Sequence, residues 1–267
     1  MIDITRANLA FEEYIKNYDI KNEMIKLKVD HIKRVSKIAK QIAINLNLSR
    51  EDIELAELIG LLHDIGRFEQ VKRYNTFWDQ RSVSHGVLGV EVLFEDNRIR
   101  NFIVSDKYDK IIKTAILNHN VARVDMKFSN EKEELHSKII RDADKIDILH
   151  ILTYADKKEE WEKEDLSLEK ISDEIYTSFM EKNEVIYSQR KTPLDVLVSE
   201  FAYIFDFNYK YSLQIIYINN YIEKIYKRHK FNDKKTMERY NEIFNIAIEY
   251  VKSKMEKRIF KNTQEKN

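Results

Sequence analysis

Apolar residues recur every three or four positions along almost the whole chain, and no stretch alternates with a period of two. That is the pattern of amphipathic helices, each with one stripe turned to a core. From Asn22 to Asn47 the stripe passes through Ile25, Val29, Ile32, Val35, Ala39 and Ile42, which predicts one long helix. Ser49, with Asp52 three residues on, predicts an N-cap for a helix that runs to about Asp64 and stops near Gly66. Further helices are expected at about 84–95, 107–119, 132–155, 167–182, 193–204, 209–229 and 234–258. The last carries Met237, Tyr240, Phe244, Ala247, Val251 and Met255 on one stripe. The expected fold class is all-α.

Composition narrows the function classes. The 267 residues are 43% hydrophobic and 34% charged, enough for a sizeable core under a heavily charged skin. Four glycines and one proline leave no room for a Gly-rich phosphate loop or a turn-dense β-architecture. The absence of cysteine removes disulfides, thiolate metal sites and cysteine nucleophiles. Lys+Arg and Asp+Glu balance at 46 each, which argues against nucleic acid or a membrane surface as the main partner. The first residues lack a secretory design, no apolar run approaches the ~20 residues of a membrane span, and a cytoplasmic address is expected. No Pro/Gly/Ser linker marks a boundary. The charged segment Asp156–Asp165 is the best candidate, either a break or the polar face of a continuing helix. It gives a catalytic domain over 1–155 and a helical region over 156–267 packed on or extending it. Oligomerisation stays open.

Chemistry gathers in the first of these. All four glycines, Gly60, Gly66, Gly86 and Gly89, fall within thirty residues, where helices are expected to approach closely or turn sharply. His63 and Asp64 follow Leu58, Ile59, Leu61 and Leu62, and an adjacent polar pair there is costly to bury without a partner. A metal ion is a fitting partner, since imidazole is a neutral ligand and carboxylate an anionic one. His31, His119 and Asp144 lie on or at the margin of apolar stripes, and His85 opens a helix beside Ser84 and Gly86. Asp147 shares the face of Asp144. One inward histidine is most often a hydrogen-bonded core residue, but several in one small domain would each need a separate account. His136, His150 and His229 lack such company and are read as ordinary.

His31, the doublet His63-Asp64 in HDIG, and Asp144 in DADK resemble the H…HD…D signature of HD-domain metal-dependent phosphohydrolases, over about residues 22–155. The resemblance implies that His31, His63, Asp64 and Asp144 bind one divalent ion. His85 and His119 resemble the extra histidines of the binuclear branch, where Asp64 would bridge to a second ion; otherwise they would contact substrate phosphate. The implied cofactor is one or two divalent transition-metal ions, Mn²⁺ or Fe first, with Zn, Ni, Co or Mg as alternatives. The implied reaction is cleavage of a phosphate ester in a small phosphorylated substrate, a nucleotide or a relative, through a metal-bound hydroxide. Asp64, Arg67 and Lys145 are the residues expected to act on it, the two cations on phosphate. Arg81 and Arg123, close in sequence to His85 and His119, are further cations for phosphate or ordinary surface charge, and the segment Lys72–Ser84 either lines the pocket or is a surface loop packed by Phe77 and Trp78. Two other readings remain: an O₂-activating di-iron oxygenase of the same superfamily, and a non-enzymatic metal-containing interaction or sensor module.

Overall fold

The computed structural model describes residues 2–95, 97–121, 126–155, 165–183 and 187–256. Every regular element among them is a helix, so the protein is all-α. The chain divides into two compact units, Met1–Asp147 and Ile148–Asn267. The division falls inside a helix, ahead of the charged segment where the sequence suggests a break; residues 156–164 of that segment lie outside the described residues. No helix among the described residues is long and apolar enough to cross a membrane.

The first unit contains α1 (Ile4–Ile15), α2 (Glu23–Asn45), α3 (Arg50–Leu62), α4 (Gly66–Tyr74), α5 (His85–Phe94), α6 (Ile99–Phe102), α7 (Asp109–Asn118) and most of α8 (Glu131–Leu152). Asn22 caps α2 by accepting the Met24 N–H at 2.9 Å. Ser49 caps α3 by accepting the Asp52 N–H at 3.1 Å, which satisfies one of the donors a helix start leaves open. A Cβ on Gly60 would lie 2.6 Å from the Ser36 Cα, so α2 and α3 close to this distance only because α3 has no side chain there. Gly66 does the same for α4 and α5: its Cβ would meet the His85 carbonyl oxygen at 2.3 Å and the Gly89 nitrogen at 2.5 Å. No glycine takes a positive φ. Of the two readings of the glycine window, close approach is the one found.

Three helices of this unit go beyond the expected set: α1, α4 and the single turn α6. Asp3 accepts the Arg6 N–H at 2.9 Å and starts α1, which buries Ala7, Phe11 and Tyr14. Phe11 and Tyr14 meet Phe68 of α4 edge-on, and the Tyr14 hydroxyl donates to the Ile65 carbonyl at 3.3 Å, bracing the backbone just after the doublet. The helix expected from Ser49 ends at Leu62, close to the expected stop, and after a turn over residues 63–65 a new helix, α4, starts at Gly66.

The second unit contains α9 (Asp173–Met180), α10 (Pro193–Phe201), α11 (Lys210–Ile218), α12 (Tyr221–Arg228) and α13 (Lys234–Glu256). Thr192 and Asp195 form a reciprocal capping box at the start of α10, with Pro193 at its first position. One helix expected at 209–229 is two, because Asn220 adopts a left-handed φ of 54° between them. Tyr226 stacks between Tyr240 and Phe244, and the buried stripe of α13 is Thr236, Tyr240, Ile243, Ala247 and Val251.

Candidate metal centre

Five segments of the first unit deliver six side chains to one place. His31 lies mid-way along α2; His63 and Asp64 occupy the turn between α3 and α4; His85 is the first residue of α5; His119 follows the last residue of α7; Asp144 lies on α8. Asp64 is at the middle. Its Oδ2 faces His31 Nε2 at 3.6 Å and His63 Nε2 at 3.8 Å. Its Oδ1 faces His85 Nε2 at 3.4 Å and His119 Nε2 at 3.7 Å. Asp144 Oδ1 closes the first group, 3.1 Å from His31 Nε2 and 3.7 Å from His63 Nε2. The sets His31, His63, Asp64 and Asp64, His85, His119 each bring their ligand atoms within 4.8 Å of one another.

The far side of each ring fixes its tautomer. His63 Nδ1 lies 2.8 Å from the Gly60 carbonyl and His119 Nδ1 2.6 Å from the Ile116 carbonyl. His31 Nδ1 lies 2.7 Å from Asp147 Oδ2 and His85 Nδ1 2.7 Å from Asp79 Oδ2. Carbonyls and carboxylates only accept, so all four Nδ1 atoms carry the proton; all four Nε2 atoms face inward, those of His63, His85 and His119 as lone pairs and that of His31 against Asp144. His85 and His119 thereby set two Nε2 atoms 2.9 Å apart, and the buried Asp64 Oδ1 beside them has no hydrogen-bond partner. Two facing lone pairs and an orphaned carboxylate oxygen repel one another unless a cation lies among them. The cluster fits a divalent metal, and its donors are nitrogen and oxygen alone.

Charge at the site follows from burial and neighbours. Burial pushes the His85 imidazole down to about 4, with Arg67 adding to it against Asp79. Burial also lowers His63, against Asp64 and Asp144. For His31, burial and Lys28 push down, but the hydrogen bonds to Asp144 and Asp147 outweigh them and raise its pKa. Burial would raise Asp64; Lys28, His63, His119 and Arg67 together hold it well below the usual carboxylate range.

The cations differ from the sequence reading. Arg67 turns its guanidinium into the protein: Nη1 donates to Gln70 Oε1 at 2.8 Å, the Phe77 carbonyl at 2.6 Å and Asp79 Oδ1 at 3.1 Å, while Nε stands 3.5 Å from Asp64 Oδ1. Lys145 is buried, one residue around α8 from Asp144. Arg81 stacks on Trp78, and Arg123 lies outside the described residues. The cation on Asp64 Oδ2, at 2.8 Å, is Lys28, one turn before His31. Lys28, Gln70 and Arg34 join the site without any sequence signal, since charged and polar residues are everywhere in this chain. The segment Lys72–Ser84 contributes through the Phe77 carbonyl and Asp79. Arg141, fully buried, donates to the Asn118 and His119 carbonyls at 3.0 and 3.4 Å, closing the C-terminus of α7. His136 pairs with Asp52, and His150 packs on Tyr154 and Tyr221.

Residues 29–149 match the family model of the HD domain. The segment that supplies all six clustered side chains is thus an HD domain, a class whose members are mostly metal-dependent hydrolases. No curated protein and no solved structure matches the chain.

Proposed function

We propose that this protein is a metal-dependent phosphohydrolase with a two-metal centre, acting on a small phosphorylated molecule, with a nucleotide as the expected class. One observation carries the reading: the oxygens of Asp64 divide between two sets of ring nitrogens, Oδ2 toward His31 and His63, Oδ1 toward His85 and His119. Two neighbouring ions clamp the attacking and leaving oxygens in phosphoryl transfer, and a carboxylate between two donor sets would hold such a pair. Donors without thiolate suit Mn²⁺ or Fe better than a structural zinc. The ions would supply an activated water and neutralise charge on the phosphoryl group.

The chain's own residues do the positioning. His31, His63 and Asp144 would hold one ion, His85 and His119 the other, with Asp64 between the two sets. The carbonyls and carboxylates that accept from each Nδ1 keep the rings turned inward. Lys28, partly open to solvent beside Asp64, presents an ammonium to a phosphoryl oxygen. It takes the role the sequence suggests for Arg67, whose Nη1 is spent on Asp79, Phe77 and Gln70 and whose Nε faces Asp64. Lys145 remains the second candidate cation. Phosphate release from a panel of nucleotides and phosphodiesters, with protein loaded in Mn²⁺ or anaerobic Fe²⁺, tests the reading. Turnover is expected to depend on metal, to vanish in Asp64→Ala, and to stay within about twofold in His150→Gln. Metal-independent turnover or equal losses in the two variants would contradict it, and O₂ consumption without phosphate release would move the site to oxidative chemistry.

A further inference from the structure

The two proposed metal positions are built alike behind their ligands. Each has one histidine tied to a helical carbonyl three residues earlier: His63 to Gly60 and His119 to Ile116. Each has a second histidine tied to a carboxylate that is itself held by an arginine. Behind His31 stands Asp147, gripped by Arg34 through Nε at 2.6 Å and Nη2 at 3.0 Å. Behind His85 stands Asp79, held by Arg67 at 3.1 Å, by Gln70 at 2.9 Å and by Asn120 at 3.3 Å. The Gln70 amide reaches further, to Ser82 Oγ and the Val83 carbonyl, so the loop before α5 is stitched to α4 around Asp79.

The two supports share no residue. Arg34 and Asp147 come from α2 and α8, while Arg67 and Gln70 come from α4, and Asp79 from the loop ahead of α5. A carboxylate behind a ligating imidazole fixes its orientation and raises its basicity, and removing such a partner typically weakens metal binding by ~10–100-fold. An arginine behind that carboxylate keeps it ionised and in one rotamer.

We propose that Asp79, set by Arg67 and Gln70, is a positioning residue that acts on the second metal position alone through His85, and that Asp147, set by Arg34, acts on the first alone through His31. The two ions are therefore tuned separately. This rests on the two-metal reading above, and it reassigns Arg67 from substrate phosphate to the support of the second ion.

The test is Mn²⁺ titration of the full-length protein, read by equilibrium binding and by the electron paramagnetic resonance signal of a spin-coupled pair. Asp79→Asn should weaken one of two ions by ~10–100-fold and remove the coupled signal at concentrations that saturate the wild type. Arg34→Gln, at a position about one-third exposed and so gentle on folding, should weaken the other ion. The sites are told apart in a His119→Ala background, which leaves the first position alone. There Asp79→Asn should change the remaining affinity by less than about twofold, while Arg34→Gln should still weaken it. Equal weakening of the remaining ion by both substitutions, or no change from Asp79→Asn in the otherwise native chain, would overturn the inference. A wild type that binds a single ion would overturn it together with the two-metal reading. Two separately tuned ions without phosphate release would leave the inference standing and remove the hydrolase.

Discussion

An imidazole that offers one nitrogen to a cation needs its other nitrogen tied to an acceptor, and all four clustered histidines meet this condition. Asp52 shows how the same chain treats a carboxylate with a structural task. Burial would raise its pKa, but Lys132 at 2.8 Å, Ser49 at 2.6 Å and His136 at 3.3 Å hold it at about 2. A carboxyl depressed in the folded state stabilises fully above its ordinary value near 3.8, and that contribution is lost as pH falls towards 2. Asp52→Asn should therefore lower the thermal midpoint at pH 7, by about 2–4 °C for each ~1 kcal/mol lost, and the difference from the wild type should shrink below about pH 3.5. A difference that stays constant from pH 7 to pH 2.5 would mean that the charge on Asp52 contributes nothing.

Among elements, the crossing of α4 and α5 has the strictest tolerance. A methyl group on Gly66 would strike backbone atoms of His85 and Gly89, which cannot swing aside as a side chain can. On Gly89 it would meet the Ile116 side chain at 3.4 Å, close to ordinary contact. Gly66→Ala should thus cost at least the ~1–3 kcal/mol of an overpacked core and displace Asp64 and His85 together, whereas Gly89→Ala should be nearly neutral. Thermal melts of the two variants decide this, and equal melting would show that the crossing is soft. The elements differ in how plainly the sequence announces them. α2, α3, α5, α7, α8 and α13 carry long apolar stripes and are legible from periodicity. α4 is not, since it begins at a glycine right after the turn of the doublet and is packed against α5; α1 carries a short stripe of its own, Ala7, Phe11 and Tyr14, behind an Asp3 cap. The split at Asn220 depends on one left-handed residue that no apolar period records.

For the molecule as a whole, the six clustered residues stand out in sequence because imidazoles and carboxylates are out of place on apolar helix faces. The residues behind them do not, because Lys28, Arg34 and Gln70 look like any other polar position in a chain that is 34% charged. Asp147 is intermediate: helical spacing puts it on the face of Asp144, yet only the fold shows that it touches His31 rather than a metal. The account rests on Asp64 as a bridge, and metal stoichiometry tests that most directly. Wild-type protein saturated with Mn²⁺, or with Fe²⁺ under anaerobic conditions, then dialysed and subjected to elemental analysis, should carry two ions per chain. His119→Ala should carry one and Asp64→Ala none. A wild type with a single ion, or an Asp64→Ala variant that keeps two, would contradict it.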